Sequence, residues 1–297
     1  MKSGIFNIIT VTALLTGFSC TERIDLPTKD ADPTVVIYGL LDSSEERQII
    51  NISRSSPYFD DSPNEGVSGA IVNISSSSGQ IFNLIEDESV KGMYYTSDVA
   101  EIQGDTDYFL NVEVDFDNDG TPEKYEAQTR VLSTQPGDSL SIERIDMFGR
   151  KNYILHLYMT DFEGDDYYMY KVFHNDSILN YSINSTIISD DKMFPEQHVR
   201  LNLFRFSDIE DYDDDSEYMH ENATYLENGD SITVKFCRIS KEYFDFVSQC
   251  QNEQGGENPL FGGPASNIIT NISNGGVGFF AGCSYSSLSM IYRKSED

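Results

Sequence analysis

The sequence predicts an all-β fold: an N-terminal immunoglobulin-like β-sandwich followed by a second β-rich domain with one short helix. Three observations carry that prediction. Apolar, β-branched and aromatic residues fall in short runs, several of them alternating with polar neighbours, as half-buried strands require. Clusters of Gly, Pro, Asn, Asp and Ser separate the runs at regular spacing. Only one stretch has helical periodicity. The supply of core residues is ample, with 18 Tyr and 18 Phe among 297 residues.

In chain order, the first strand is the run Val35-Val36-Ile37-Tyr38-Gly39-Leu40-Leu41, closed by Asp42-Ser43-Ser44. Residues 48–54 form the second, before a turn-rich stretch holding Pro57 and Pro63. Residues 70–74 and 80–84 flank Ser75 to Gly79 as a hairpin does. Residues 92–96 and 108–114 follow, the latter alternating through Leu110, Val112 and Val114, and residues 125–131 complete the sandwich. A break at Ser133-Thr134-Gln135-Pro136-Gly137-Asp138 places the domain boundary, giving a sandwich over residues 34–132 and a second domain over 138–297.

The second part begins with strands at 141–146, 153–159, 167–173 and 199–206. The acidic stretch Asp208 to Glu217 has no apolar period and reads as a solvated loop. A strand at 231–237 opens after the turn Asn228-Gly229-Asp230. Ser240 then caps a helix with Glu242 in its first turn and Tyr243, Val247 and Cys250 on one face. Pro259 and Pro264 force a loop, and the Gly-rich run 276–283 closes the fold. In Tyr94-Tyr95, Tyr167 to Tyr170 and Phe279-Phe280, alternate members go to the core and the others to the opposite face.

The N-terminus reads as an address. Lys2 precedes a charge-free apolar stretch, Ile5 to Leu15, too short to span a membrane. It ends in Gly17-Phe18-Ser19-Cys20, which resembles a bacterial lipoprotein box with Gly17 where Leu is usual. Residues 1–19 are thus expected to be a signal peptide, Cys20 the lipidated first residue, and residues 20–33 a tether. Past Cys20 there are three cysteines, Cys237, Cys250 and Cys283, and in an oxidising compartment one pair can close, leaving a thiol over.

The order of landmarks resembles a known family. Pro33-Thr34-Val35-Val36-Ile37-Tyr38-Gly39, Ser53-Arg54-Ser55-Ser56-Pro57-Tyr58-Phe59 and Val67-Ser68-Gly69-Ala70-Ile71-Val72 carry the resemblance. So do Gly229-Asp230, Ile239-Ser240-Lys241-Glu242-Tyr243, Asn258-Pro259-Leu260-Phe261 and Gly278-Phe279-Phe280. The family is the Bacteroidota lipoprotein group catalogued as domain of unknown function 4249. The resemblance implies a lipid-anchored outer-membrane lipoprotein, exposed at the cell surface, acting beside a TonB-dependent receptor. It implies no activity and no catalytic residue.

One local pattern names ligands. Asp115-Phe116-Asp117-Asn118-Asp119-Gly120, then Glu126, matches the spacing of the twelve-residue calcium loop. Asp115, Asp117, Asp119 and Glu126 supply carboxylates and Thr121 its carbonyl, while Gly120 allows the sharp turn. The flanks read as strands, so the alternative is an acidic hairpin tip rich in turn residues.

Enzyme templates are missing: no GxSxG, HExxH or phosphate loop, and His156, His174, His198 and His220 share no short motif. With 50 acidic and 20 basic residues, the net charge of −30 excludes a phosphate-backbone binder. The expected function is a non-catalytic surface accessory to a TonB-dependent receptor, binding its cargo or docking on its barrel. The alternative is a structural or assembly subunit of the cell envelope.

Overall fold

The computed structural model describes residues 32–56, 64–147, 150–160, 164–192, 198–208, 224–254 and 268–294. Residues 1–31, which include Cys20 and most of the stretches expected to be a signal peptide and a tether, lie outside the described residues, as do 57–63, 209–223 and 255–267.

The first sheet holds β1 (Val35–Asp42), β2 (Ile49–Arg54), β3 (Ile71–Ser76), β4 (Ile81–Glu86), β5 (Met93–Thr96), β6 (Thr106–Val114) and β7 (Glu123–Val131). It also holds β15 (Val277–Cys283), from the far end of the chain, in the order β15-β1-β2-β5-β4-β3-β6-β7. The sheet folds over so that its end strands, β7 and β15, pack on one another. Val35, Ile37, Ile50, Ile52, Val72, Ile74, Leu110, Val112, Val131 and Phe280 fill the core it encloses. Asn271 stitches the closure, donating to the Gln128 carbonyl at 3.1 Å and the Phe280 carbonyl at 2.7 Å.

The expected boundary at 133–138 therefore does not separate two self-contained domains. β15 runs parallel to β1, from Val36 opposite Val277 to Asp42 opposite Cys283. The physical reason lies in its composition. β15 is apolar at successive positions, which suits a strand buried on both faces rather than an edge. Gly278 makes the pairing possible: its φ is 105°, and a Cβ there would sit 2.1 Å from the Ile37 carbonyl oxygen.

The rest of the chain builds a second sandwich. One layer is β8 (Ser139–Met147), β9 (Arg150–Thr160) and β13 (His198–Ser207), in the order β13-β9-β8. The other joins β10 (Tyr167–His174), β11 (Ser177–Ile178), β14 (Ser231–Ile239) and β16 (Ser286–Ile291) in the order β11-β10-β14-β16, with β12 (Ile187–Asp190) also on β10. Leu155 and Leu157 of β9, Tyr168, Tyr170 and Val172 of β10, Phe206 of β13 and Val234 and Phe236 of β14 meet between the layers.

The helix α1 (Lys241–Gln254) starts where Ser240 Oγ accepts the Tyr243 amide at 3.1 Å. Its Tyr243, Phe246 and Val247 cover a third core, between the outward face of β1 and β15 and the far face of β10 and β14. Tyr167, Met169, Cys237, Ile239, Phe279, Ala281 and Cys283 complete that core. The run at 167–170 alternates between faces as expected, and both faces are covered: Tyr168 and Tyr170 enter the second core, and Tyr167 and Met169 the third.

Candidate functional site

The hairpin of β6 and β7 is paired up to Val114 opposite Glu123, leaving residues 115–122 as its tip. Its turn needs left-handed backbone at Asn118, φ 60°, and Gly120, φ 92°. Carboxylates hold it together. Asp115 Oδ2 accepts the Gly120 amide at 3.0 Å, Asp117 Oδ1 the Asp119 amide at 3.0 Å, and Asp119 Oδ1 the Thr121 amide at 2.7 Å. Glu123 Oε2 accepts the Phe116 amide at 2.7 Å. Arg54 fixes the base of the tip, its guanidinium 4.0 Å from the Phe116 ring centre.

This places one oxygen from each of Asp115, Asp117, Asp119 and Glu123 within 4.8 Å of one another. Asp115 Oδ1 is buried without a partner among protein atoms. Glu126, chosen from the spacing, is not in the group and is replaced by Glu123. A strand rises about 3.3 Å per residue, so three residues carry a carboxylate roughly 10 Å along and to the opposite face. The spacing rule assumes a helix after the loop; here Glu126 stands opposite Asn111 in β7, its amide bound to Ser273 Oγ at 2.7 Å. Thr121 stays in the tip with its amide on Asp119.

The outward face of the first sheet carries a second feature, which sequence patterning did not single out. One row crosses the strands as Ile49, Tyr95 and Ile85. Ile71 flanks Ile85, one step past the Val72–Leu84 pair, and the row continues to Glu113 and Lys124. Ile49 is 43% exposed, Ile71 66% and Ile85 47%. Ile81 and Phe109, both opposite Ser75, are exposed on the same face. The signal was present in the sequence: Ile81 and Ile85 sit at the outward positions of β4, where Asn83 between them is polar.

A cavity of about 460 Å³ opens between β1, β10, β11 and α1, lined by Tyr38, Leu40, Met169, Lys171, Ile178 and Tyr243 among others. Its polar groups are engaged with each other. The Tyr38 and Tyr243 hydroxyls share a hydrogen bond of 2.9 Å, and burial pushes both phenols above their ordinary range. Lys171 pairs with Asp42 at 2.8 Å and lies 4.6 Å from the Tyr285 ring centre.

Three of the histidines are held apart from one another, each by its own partners. His156, 2% exposed, bonds Asn202 at 2.8 Å and Glu143 at 3.1 Å. His174 bonds Asp230 at 2.8 Å, and His198 bonds Thr160 at 3.0 Å. His220 lies outside the described residues.

A family model described as a domain of unknown function (DUF4249) matches residues 21–289. The chain belongs to this family. The match spans both sandwiches of this DUF4249 protein, from ahead of β1 into β16. No curated protein matches the chain. Among solved structures it is similar to the crystal structure of chicken CNTN1 FN1-FN3 domains, at 11% identity. That likeness covers 90% of this chain and 70% of that one, with a TM-score of 0.27. Among the described residues of this DUF4249 chain, no helix is long and apolar enough to cross a membrane.

Proposed function

We propose that the chain is a non-catalytic outer-membrane lipoprotein, anchored through a lipid on Cys20 and exposed at the cell surface as an accessory to a TonB-dependent receptor. The apolar row Ile49, Tyr95, Ile85 and Ile71 supports this reading best. A contiguous apolar strip on an otherwise acidic body is a docking surface for another protein. Fully burying one such isoleucine under a partner is worth about 1.5–3 kcal/mol. The test is purification of the tagged full chain from detergent-solubilised outer membranes. A β-barrel receptor should accompany the wild type, and the double variant Ile71→Lys, Ile85→Lys should lose it. Recovery of the chain alone, with the receptor detected elsewhere in the membrane, would refute the accessory role. Recovery with other envelope components would instead favour the structural subunit.

A second reading concerns the tip of the β6–β7 hairpin. We propose that Asp115, Asp117, Asp119 and Glu123 take calcium, with Thr121 in the same loop. The partnerless oxygen of Asp115, a member of the four-carboxylate group, favours it. A hard cation accepts oxygen ligands of this kind, and its role here is to stiffen the tip.

A further inference from the structure

The structure selects one pair among the three cysteines of the body. Cys237 lies in β14, opposite Met169 of β10. Cys283 ends β15, opposite Asp42 of β1. Both are 0% exposed, both belong to the third core, and their strands β14 and β15 touch one another there. Cys250 sits on α1, is only partly buried, and packs at the margin of that core. The first two thiols therefore face each other across the seam where the large sheet meets the second sandwich.

We propose that Cys237 and Cys283 close a disulfide when the chain meets a disulfide oxidant, stapling β14 to β15. The export route proposed above would supply such an oxidant, but the chemistry needs only a protein or small-molecule disulfide. One cysteine thiolate attacks a sulfur of the oxidant, forming a mixed disulfide and expelling one thiolate, which picks up a proton. The second cysteine thiolate then attacks its neighbour's sulfur and expels the other. Two protein thiols lose two electrons and two protons, and one oxidant disulfide becomes two thiols.

The environment sets the timing. Burial pushes the Cys237 thiol well above its ordinary range, and Lys171 only partly offsets this. The packed Cys237 thiol is therefore a poor nucleophile, so the bond forms while the seam is still open. Once closed, it is shielded from reductants. The bond links positions 237 and 283 across a long intervening segment that contains α1, so it removes much freedom from the unfolded chain.

The test uses the full chain, reduced, unfolded and refolded in a glutathione buffer held mostly oxidised, then digested without reductant. Mass spectrometry should find the Cys237 and Cys283 peptides joined, with Cys250 open to alkylation. Cys250→Ala should leave the link intact, while Cys237→Ala and Cys283→Ala should each abolish it. Reducing the wild type should lower its melting temperature by roughly 5–15 °C, and the double variant Cys237→Ala, Cys283→Ala should be indifferent to reductant. A link through Cys250, or Cys237, Cys250 and Cys283 all open to alkylation after denaturation, would overturn the proposal. Finding the chain in the wrong compartment of the cell would refute the export reading alone.

Discussion

At the β15–β1 end of the large sheet, the outward side chains Tyr38, Leu40, Phe279 and Ala281 pack under α1, β10 and β14. Toward β3, the same face carries Ile49, Tyr95, Ile85 and Ile71 with no such layer over them among the described residues, only the Arg47 guanidinium 5.1 Å from the Tyr95 ring centre. The two ends share one row, because Leu40 stands opposite Ala281 on one side and next to Ile49 on the other. Alternation thus assigns a residue to a face but not to an environment. The covered end was enriched in apolar residues at successive positions, whereas the bare end sets isolated isoleucines among Asn, Ser and Glu.

The comparison is broken most directly at Phe279. It is 2% exposed, with its ring centre 4.9 Å from Phe246 and 5.5 Å from Tyr243. Phe279→Ala should cost about 3–5 kcal/mol, since a cavity opens where two layers meet and neither can collapse freely. Urea unfolding followed by circular dichroism measures it. A loss under about 1 kcal/mol would mean that the covered end is surface rather than core, and the contrast with the Ile49 end would fail.

Most of the strand order was legible because the chain writes it in residue types. β1, β6, β10 and β14 are runs of Val, Ile, Tyr and Phe, and α1 announces itself through Ser240, Glu242 and the Tyr243, Val247, Cys250 stripe. β16 was missed because Ser286, Ser287 and Ser289 dilute it, leaving Leu288 and Met290 to reach the second core. β12 and the two-residue β11 are too short to show a period. The membership of β15 in the first sheet was illegible for another reason: a parallel pairing between chain ends leaves no local mark. At the acidic tip, Asp115, Asp117 and Asp119 were readable from their spacing, but the fourth carboxylate depends on whether a strand or a helix follows.

An ion held by the acidic tip would stiffen the bare end of the sheet at its β6–β7 corner. Binding only the folded state raises stability by about 2.7 kcal/mol at a hundredfold excess of ligand over Kd. Millimolar calcium should therefore raise the melting temperature of the purified chain. Asp115→Asn and Glu123→Gln should remove most of the gain, and Glu126→Gln should keep it. If sodium at equal ionic strength reproduces the rise, the effect is screening of like charges and the tip holds no ion. If Glu126→Gln is the variant that abolishes it, the loop closes differently from the arrangement described.

The smallest effect on stability is expected where the largest effect on association is proposed. Ile71 and Ile85 are 66% and 47% exposed in the free chain, so the folded state gains little from them. Lysine is tolerated on an exposed strand face, and β-propensity differences span only about 1 kcal/mol. Each of Ile71→Lys and Ile85→Lys should accordingly shift unfolding by about 1 kcal/mol or less, with the wild-type denaturant slope. In a receptor interface the same lysines would be buried without a partner charge, which costs far more than losing one contact. Loss of the receptor with folding intact would separate docking from packing, the distinction on which the two ends of the sheet differ. A loss comparable to that of Phe279→Ala would show instead that the row is already covered within the chain itself, leaving no face for a partner.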